Sequence, residues 1–156
     1  MIGGASGLIG TALVESLRAA GHDVATLVRR APAAPDEHRW DPAAGTLDAA
    51  VLEGADAAVC LSGAGIADKR WSDSYKETLL RSRVDSVATL GRAVASAGVP
   101  VFVSGSAVGY YGDTGSTPVD ETAGPGNNFL ARLAVDWEAA TAVAAESGVR
   151  VVLTRT

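Results

Sequence analysis

Gly3-Gly4-Ala5-Ser6-Gly7-Leu8-Ile9-Gly10 is the stretch on which the reading of this chain turns. Glycines at 4, 7 and 10 run straight into an apolar-periodic segment. A residue without a Cβ leaves its backbone bare, so an anion can come close to main-chain amides there. The unpaired N–H groups of a helix's first turn, with the helix dipole, favour negative charge at the same place. The pattern predicts a phosphate cradle between a strand and a helix. Its spacing is G-x-x-G-x-x-G rather than the G-x-G-x-x-G of the simplest dinucleotide fingerprint. A glycine-rich turn ahead of an ordinary helix is the competing reading.

Working outward, only Met1 and Ile2 precede the loop, where a dinucleotide fold places a strand of about five residues. The sequence therefore implies that most of the first strand is missing and that the chain is truncated. Downstream, Ile9, Leu13, Leu17 and Ala20 form one apolar helical stripe closed by Gly21, which predicts a helix over 8–20. Val24 to Val28 reads as a β-branched strand ending in Arg29-Arg30, where a second parallel strand delivers a side chain to the adenosine ribose. An acid there takes a 2′-hydroxyl, whereas guanidinium groups suit a 2′-phosphate. The two arginines point to NADP(H), unless they only solvate the strand end.

Ala31 to Pro35 reads as loop, followed by Arg39-Trp40-Asp41-Pro42, a turn at Ala44-Gly45 and a stub of strand at Thr46-Leu47. Ala57 to Leu61 is the next buried strand, with the small-residue loop Ser62-Gly63-Ala64-Gly65 after it. Leu80, Val84, Val87, Leu90 and Val94 predict a long amphipathic helix over 72–97, stopped by Gly98. Its Arg81 and Arg83 either reach a cofactor or face water. A strand over 99–103 is expected to break at Ser104-Gly105-Ser106, and a long loop to cover 114–128. A helix marked by Leu130, Leu133 and Trp137 is expected to run to about Ser147, with a final strand over 149–154. Alternating strands and helices imply an α/β, doubly wound, Rossmann-like parallel sheet in the order 3-2-1-4-5-6. With a central first strand largely absent, two inner strand edges would be unpaired and the isolated chain poorly stable.

The 156 residues suit one domain, and 13 basic against 18 acidic residues, net −5, argue against a nucleic-acid or anionic-membrane surface built on bulk charge. The single cysteine, Cys60, excludes an intrachain disulfide and, without a His/Cys cluster, a zinc site; its apolar run predicts a buried thiol. No apolar run reaches the roughly 18 residues of a membrane helix, and no signal-peptide pattern opens the chain, so a cytoplasmic location is expected. The sequence leaves the oligomeric state open. His22 and His38 read as surface residues, Asp120-Glu121 as solvated or capping acids, and Trp71 and Trp137 as packing residues.

The glycine loop, the Arg29-Arg30 strand end, and Ser104-Gly105-Ser106 with Tyr110-Tyr111-Gly112 together resemble the extended short-chain dehydrogenase/reductase superfamily. More narrowly, Trp40-Asp41-Pro42, Leu61 to Ala67, Lys69-Arg70-Trp71, Ser82-Arg83-Val84, Ser106 to Gly112 and Trp137-Glu138 resemble its NAD-dependent epimerase/dehydratase branch. The resemblance implies that residues 1–156 are a dinucleotide-binding domain truncated at both ends, without the C-terminal substrate-binding part. It implies NADP(H), with NAD(H) as the alternative, and an unidentified small-molecule substrate. Gly4, Gly7 and Gly10, with Ser6, Leu8 and Ile9 of the same loop, would meet the pyrophosphate. Arg29 and Arg30 would meet the 2′-phosphate, Ser62, Gly63 and Ala64 the ribose side, and Asp41 the adenine edge.

In the superfamily a tyrosine, tuned by a lysine four residues on, exchanges a proton with the substrate while hydride passes to or from nicotinamide, and a serine holds the substrate oxygen. Ser106 matches the serine. Alignment by Glu138 puts Leu130 and Ala134 at the tyrosine and lysine positions, and neither can move a proton. Tyr111 could lend a hydroxyl from across the crevice, and Lys69 or Lys76 a charge. Three functions follow: an NADP(H)-dependent oxidoreductase or epimerase-like enzyme; a non-catalytic dinucleotide-binding regulatory or redox-sensing protein; and, if the missing strand prevents binding, a structural α/β fragment.

Overall fold

The computed structural model describes all 156 residues. Its sheet contains β1 (Ile2–Gly3), β2 (Thr26–Val28), β3 (Glu37–Arg39), β4 (Ala58–Cys60), β5 (Val101–Ser106) and β6 (Arg150–Arg155). The strands are all parallel and lie in the order β3-β2-β1-β4-β5-β6, the doubly wound order expected from the sequence. The helices are α1 (Leu8–Ala19), α2 (Asp73–Ala97), α3 (Phe129–Ala139) and α4 (Ala142–Glu146). Alternate residues of β4 send their side chains to opposite faces. Val59 packs with Ile2, Val14 and Val24 under α1, while Ala58 and Cys60 join the larger core of Leu79, Leu90, Val94, Phe102 and Trp137.

As expected, only a stub of the first strand is present, Ile2–Gly3, but it is paired on both sides, so the two inner strand edges are not left open as the sequence implied. Ile2 is paired with both Thr26 and Val59, and Gly3 with both Leu27 and Cys60. The Met1 ammonium donates to the Ala57 carbonyl at 2.9 Å, and Val59 N–H donates to the Met1 carbonyl at 2.9 Å, extending the ladder by one residue. Ile2 is 1% exposed, so the two inner edges meet a filled position.

In α1 the buried stripe is displaced from the expected one. Gly10 and Val14 are buried and Leu13 and Leu17 pack beside them, whereas Ile9 is 54% exposed and Leu8 more so. In α2, the Ser72 hydroxyl accepts from Tyr75 N–H and Gly98 closes the helix at φ +68°, a left-handed conformation that glycine adopts without strain.

Four further expectations change. Ser104-Gly105-Ser106 does not break β5; these residues pair with Leu153, Thr154 and Arg155. Their small size reflects packing, since a Cβ on Gly105 would lie 3.2 Å from the Trp137 ring. Glu37–Arg39 forms β3, which the sequence hid because charged residues on a three-residue edge strand carry no apolar alternation. His38 is accordingly a half-buried strand residue rather than a surface loop residue. The stub at Thr46-Leu47 reduces to a single bridge between Asp41 and Thr46. Finally, the last helix is broken at Ala140–Thr141, where Thr141 Oγ donates to the Glu138 carbonyl at 2.7 Å and competes with the helical ladder.

Candidate functional site

Because every strand is parallel, all six carboxyl ends open on one edge, the place where doubly wound sheets bind ligands. A groove of about 1520 Å³ runs along that edge from the glycine loop across β2 to the β4–α2 loop. A compact small-molecule cleft is ~300–1,000 Å³, so this volume suits an extended ligand.

The three glycines of the loop do different work. Gly4 has φ +82°, and a Cβ there would come within 2.6 Å of the Leu61 backbone. A Cβ on Gly10 would come within 2.2 Å of the Gly4 carbonyl oxygen, so Gly10 lets α1 seat against the loop. Gly7 is under no such constraint: its Cβ would meet only the Gly4 carbonyl at 3.5 Å, and the residue lines the groove. No side chain caps α1, and the amides of Leu8, Ile9 and Gly10 donate to no protein carbonyl. Ser6 and Gly7 line the groove; Leu8, Ile9 and Gly10 do not.

Four cations line the groove, and three are already paired. Arg18 meets Asp36; Arg81 lies 2.8 Å from Glu77 and 3.7 Å from Asp85; Arg30 makes a bidentate pair with Glu37 at 2.5 and 2.7 Å. The Arg30 hydrogen bond, helped by Ala33 N–H, holds the Glu37 carboxyl down at about 2. Arg29 alone is exposed without a hydrogen-bond or ion-pair partner. Asp41 also lines the groove, but one of its oxygens accepts from Ala44 N–H at 3.2 Å and so closes its own turn.

Across the groove, the loop after β4, from Ser62 to Ile66, is held by α2 and by Trp71 just ahead of it. Ala64 N–H donates to Ser82 Oγ at 2.9 Å, Tyr75 Oη to the Gly65 carbonyl at 2.6 Å, and Trp71 Nε1 to the Ile66 carbonyl at 2.8 Å. Beneath Gly63 lies the guanidinium of Arg83, 3.1 Å from where a Cβ would be, stacked on Trp137 at 5.1 Å and bonded to the Leu79 carbonyl. It is neither free in water nor a groove-lining cation. Burial lowers its pKa from the ordinary arginine value.

Ser106 and Tyr111 lie outside this groove, in a polar cluster at the end of β5. Ser106 Oγ donates to Glu138 Oε1 at 2.5 Å. Arg155, at the end of β6, holds both Glu138 oxygens at 2.8 Å, donates to Tyr111 Oη at 2.8 Å and stacks 3.6 Å from the Tyr110 ring centre. Burial pushes the Glu138 carboxyl up, but the Arg155 and Ser106 hydrogen bonds outweigh it and leave the pKa below the ordinary glutamate value. Arg155 is raised by its hydrogen bond to Glu138. Sequence reasoning missed Arg155, Ser82 and Tyr75 as parts of the site. Glu138 carries family resemblance in the sequence, but no spacing rule links it to a residue 17 positions on.

Of the two residues aligned with the tyrosine and lysine positions, Ala134 is fully buried and Leu130 packs against Gly109. Lys69 and Lys76 point elsewhere, over the rings of Tyr75 and Phe129. Trp137 is buried, as expected, while Trp71 is 40% exposed and edge-on to Phe129. His22 is exposed, Asp120 accepts from Thr122, and Cys60 is a fully buried thiol pushed up to about 11 by that burial, hence unreactive. No three His, Cys, Asp or Glu side chains cluster in a way that could hold a metal ion, and no helix is long and apolar enough to cross a membrane.

Comparison with known proteins places these features in context. The model of the NAD dependent epimerase/dehydratase family matches residues 1–156. An epimerase family protein of Mycobacterium bovis is 51% identical over 155 residues, covering 99% of this chain and 52% of that protein. The chain thus spans about half the length of such relatives. Among solved structures, a nucleoside-diphosphate sugar epimerase from Corynebacterium glutamicum superposes with TM-score 0.85 at 40% identity, over 99% of this chain and 32% of that one. Human epimerase family protein SDR39U1, solved with NADPH, gives TM-score 0.84 at 32% identity, over 99% of this chain and 52% of that one.

Proposed function

Because this chain belongs to the NAD-dependent epimerase/dehydratase family, we propose that it is the dinucleotide-binding part of an oxidoreductase or epimerase-like enzyme, with NADP(H) preferred over NAD(H). The observation that carries the reading is the pairing pattern of the groove: one unpartnered guanidinium, Arg29, on a wall that also holds an uncapped glycine-loop helix. The fit is physical. Gly7 lines the groove where a Cβ would crowd a pyrophosphate, the unpaired amides of Leu8, Ile9 and Gly10 would donate to its oxygens, and Arg29 lacks the anion it would otherwise hold. Ser62, Gly63 and Ala64 border the ribose side, and Asp41 stands near the adenine end. Arg30, held by Glu37, serves as a second, weaker contact to the 2′-phosphate.

A bound nicotinamide supplies hydride chemistry; the chain supplies orientation and the polar cluster at Ser106 and Tyr111. The human relative solved with NADPH supports this cofactor. The test is an NADPH titration followed by nicotinamide fluorescence. Saturable enhancement is expected in the wild type, weakened at least about tenfold by Gly7→Ala, the loss of about one main-chain hydrogen bond to charge. No enhancement in the wild type would overturn the proposal.

A second reading, dinucleotide binding without turnover, is favoured by Leu130 and Ala134, which leave the proton-transfer positions without chemistry. NADPH oxidation by a carbonyl compound separates the two readings: turnover excludes the second, and tight binding without turnover supports it.

A further inference from the structure

The cluster at the end of β5 has a fixed hydrogen-bond direction. Arginine only donates, and an ionised carboxylate only accepts. Ser106 therefore gives its proton to Glu138, whose oxygens also receive two Arg155 N–H groups. Arg155 Nη1 donates to Tyr111, so the Tyr111 oxygen must use a lone pair in that contact and its own O–H points elsewhere. That hydroxyl makes no other hydrogen bond and is half-buried, and Tyr110 fixes the guanidinium from the other side by stacking at 3.6 Å.

We propose that this chain of bonds makes Tyr111 the donor to an acceptor oxygen of a bound small molecule, and removes Ser106 from that role, with Glu138 and Arg155 as positioning residues. The ligand class follows from charge. Arg155 and Glu138 neutralise each other, so no net charge is left to hold a carboxylate or phosphate. A neutral ketone or aldehyde carbonyl, which accepts and cannot donate, matches a lone hydroxyl donor. The inference deepens the enzymatic reading, which expects a serine to hold the substrate oxygen, and reassigns that task.

Two measurements test it. First, Raman spectra of wild type minus Tyr111→Phe, recorded without cofactor, isolate the Tyr111 Fermi doublet, whose intensity ratio separates an accepting phenol from a donating one. An accepting signature is expected; a donating one overturns the proposal. Second, cyclohexanone labelled at its carbonyl carbon is titrated by NMR into protein with and without NADP⁺. Tyr111→Phe is expected to weaken it about tenfold, one neutral hydrogen bond, and Ser106→Ala by less than about twofold. Equal losses in both variants, or no ketone binding to the wild type, overturn the proposal, as does acetate binding more tightly than the ketone. Since the Raman result needs no cofactor, failure of NADPH to bind would remove the dinucleotide reading while leaving the Tyr111 assignment to stand or fall by its own data.

Discussion

Gly7 and Gly10 stand three residues apart, yet a methyl group would meet the Gly4 carbonyl oxygen at an ordinary 3.5 Å at one and at 2.2 Å at the other. The account separates their roles accordingly. Gly10→Ala is expected to lower unfolding free energy by about 2 kcal/mol through overpacking, read as a lower Tm. Gly7→Ala is expected to lower it by no more than about 1 kcal/mol, the difference between two N-cap residues, while still blocking cofactor. At the same scale, Glu138 sets an acid limit on stability. Its folded pKa lies below its unfolded one, so its contribution is fully present above the unfolded value and is lost as pH falls through the folded value. Denaturant melts between neutral and strongly acid pH should show a decline that Glu138→Gln flattens; an unchanged profile would count against the ion pair. The glycines could be read from sequence because only local backbone chemistry demands them. Arg155 could not, since its partners Glu138, on α3, and Tyr111, in the turn after β5, are brought to it by two separate parts of the chain.

Elements with strong local signals fall where the sequence put them, and those held by pairing alone do not. Ser72 and Gly98 bracket α2 in chemistry that any long helix uses, and the observed helix is 73–97 within that bracket. In contrast β3, with Glu37, His38 and Arg39, exists because β2 offers it a ladder, and β5 continues through Ser104, Gly105 and Ser106 because β6 pairs with them, Trp137 leaving room only for a glycine at 105. Since α2 also holds the loop after β4 through Ser82 and Tyr75, its cap bears on the site. Ser72→Ala is expected to cost about 1 kcal/mol, measured as a shifted denaturation midpoint, with faster amide exchange in the first turn of α2. Unchanged exchange there would show that the cap is dispensable.

For the molecule as a whole, the consequential difference between expectation and structure is β1. Two residues, with help from Met1, connect the β3-β2 half of the sheet to the β4-β5-β6 half, and Ile2 is almost wholly buried between them. With only Met1 and Ile2 ahead of the glycine loop, the sequence implied open inner edges; pairing of Ile2 and Gly3 with both neighbouring strands fills them instead. Ile2→Ala should therefore destabilise the entire domain by about 3 kcal/mol and lower a single cooperative transition rather than one half of it. Two separated transitions in the wild type would contradict a continuous sheet.

The groove, the glycine loop and the unpaired Arg29 all support the proposal that the carboxyl edge binds a dinucleotide carrying a 2′-phosphate. Calorimetric titration of the wild-type protein with NADPH and with NADH tests it most directly. A charge-assisted hydrogen bond of about 1.5–3 kcal/mol corresponds to NADPH binding roughly 10- to 100-fold more tightly than NADH. Equal affinities would contradict the role given to Arg29, and no heat with either nucleotide would contradict the site itself.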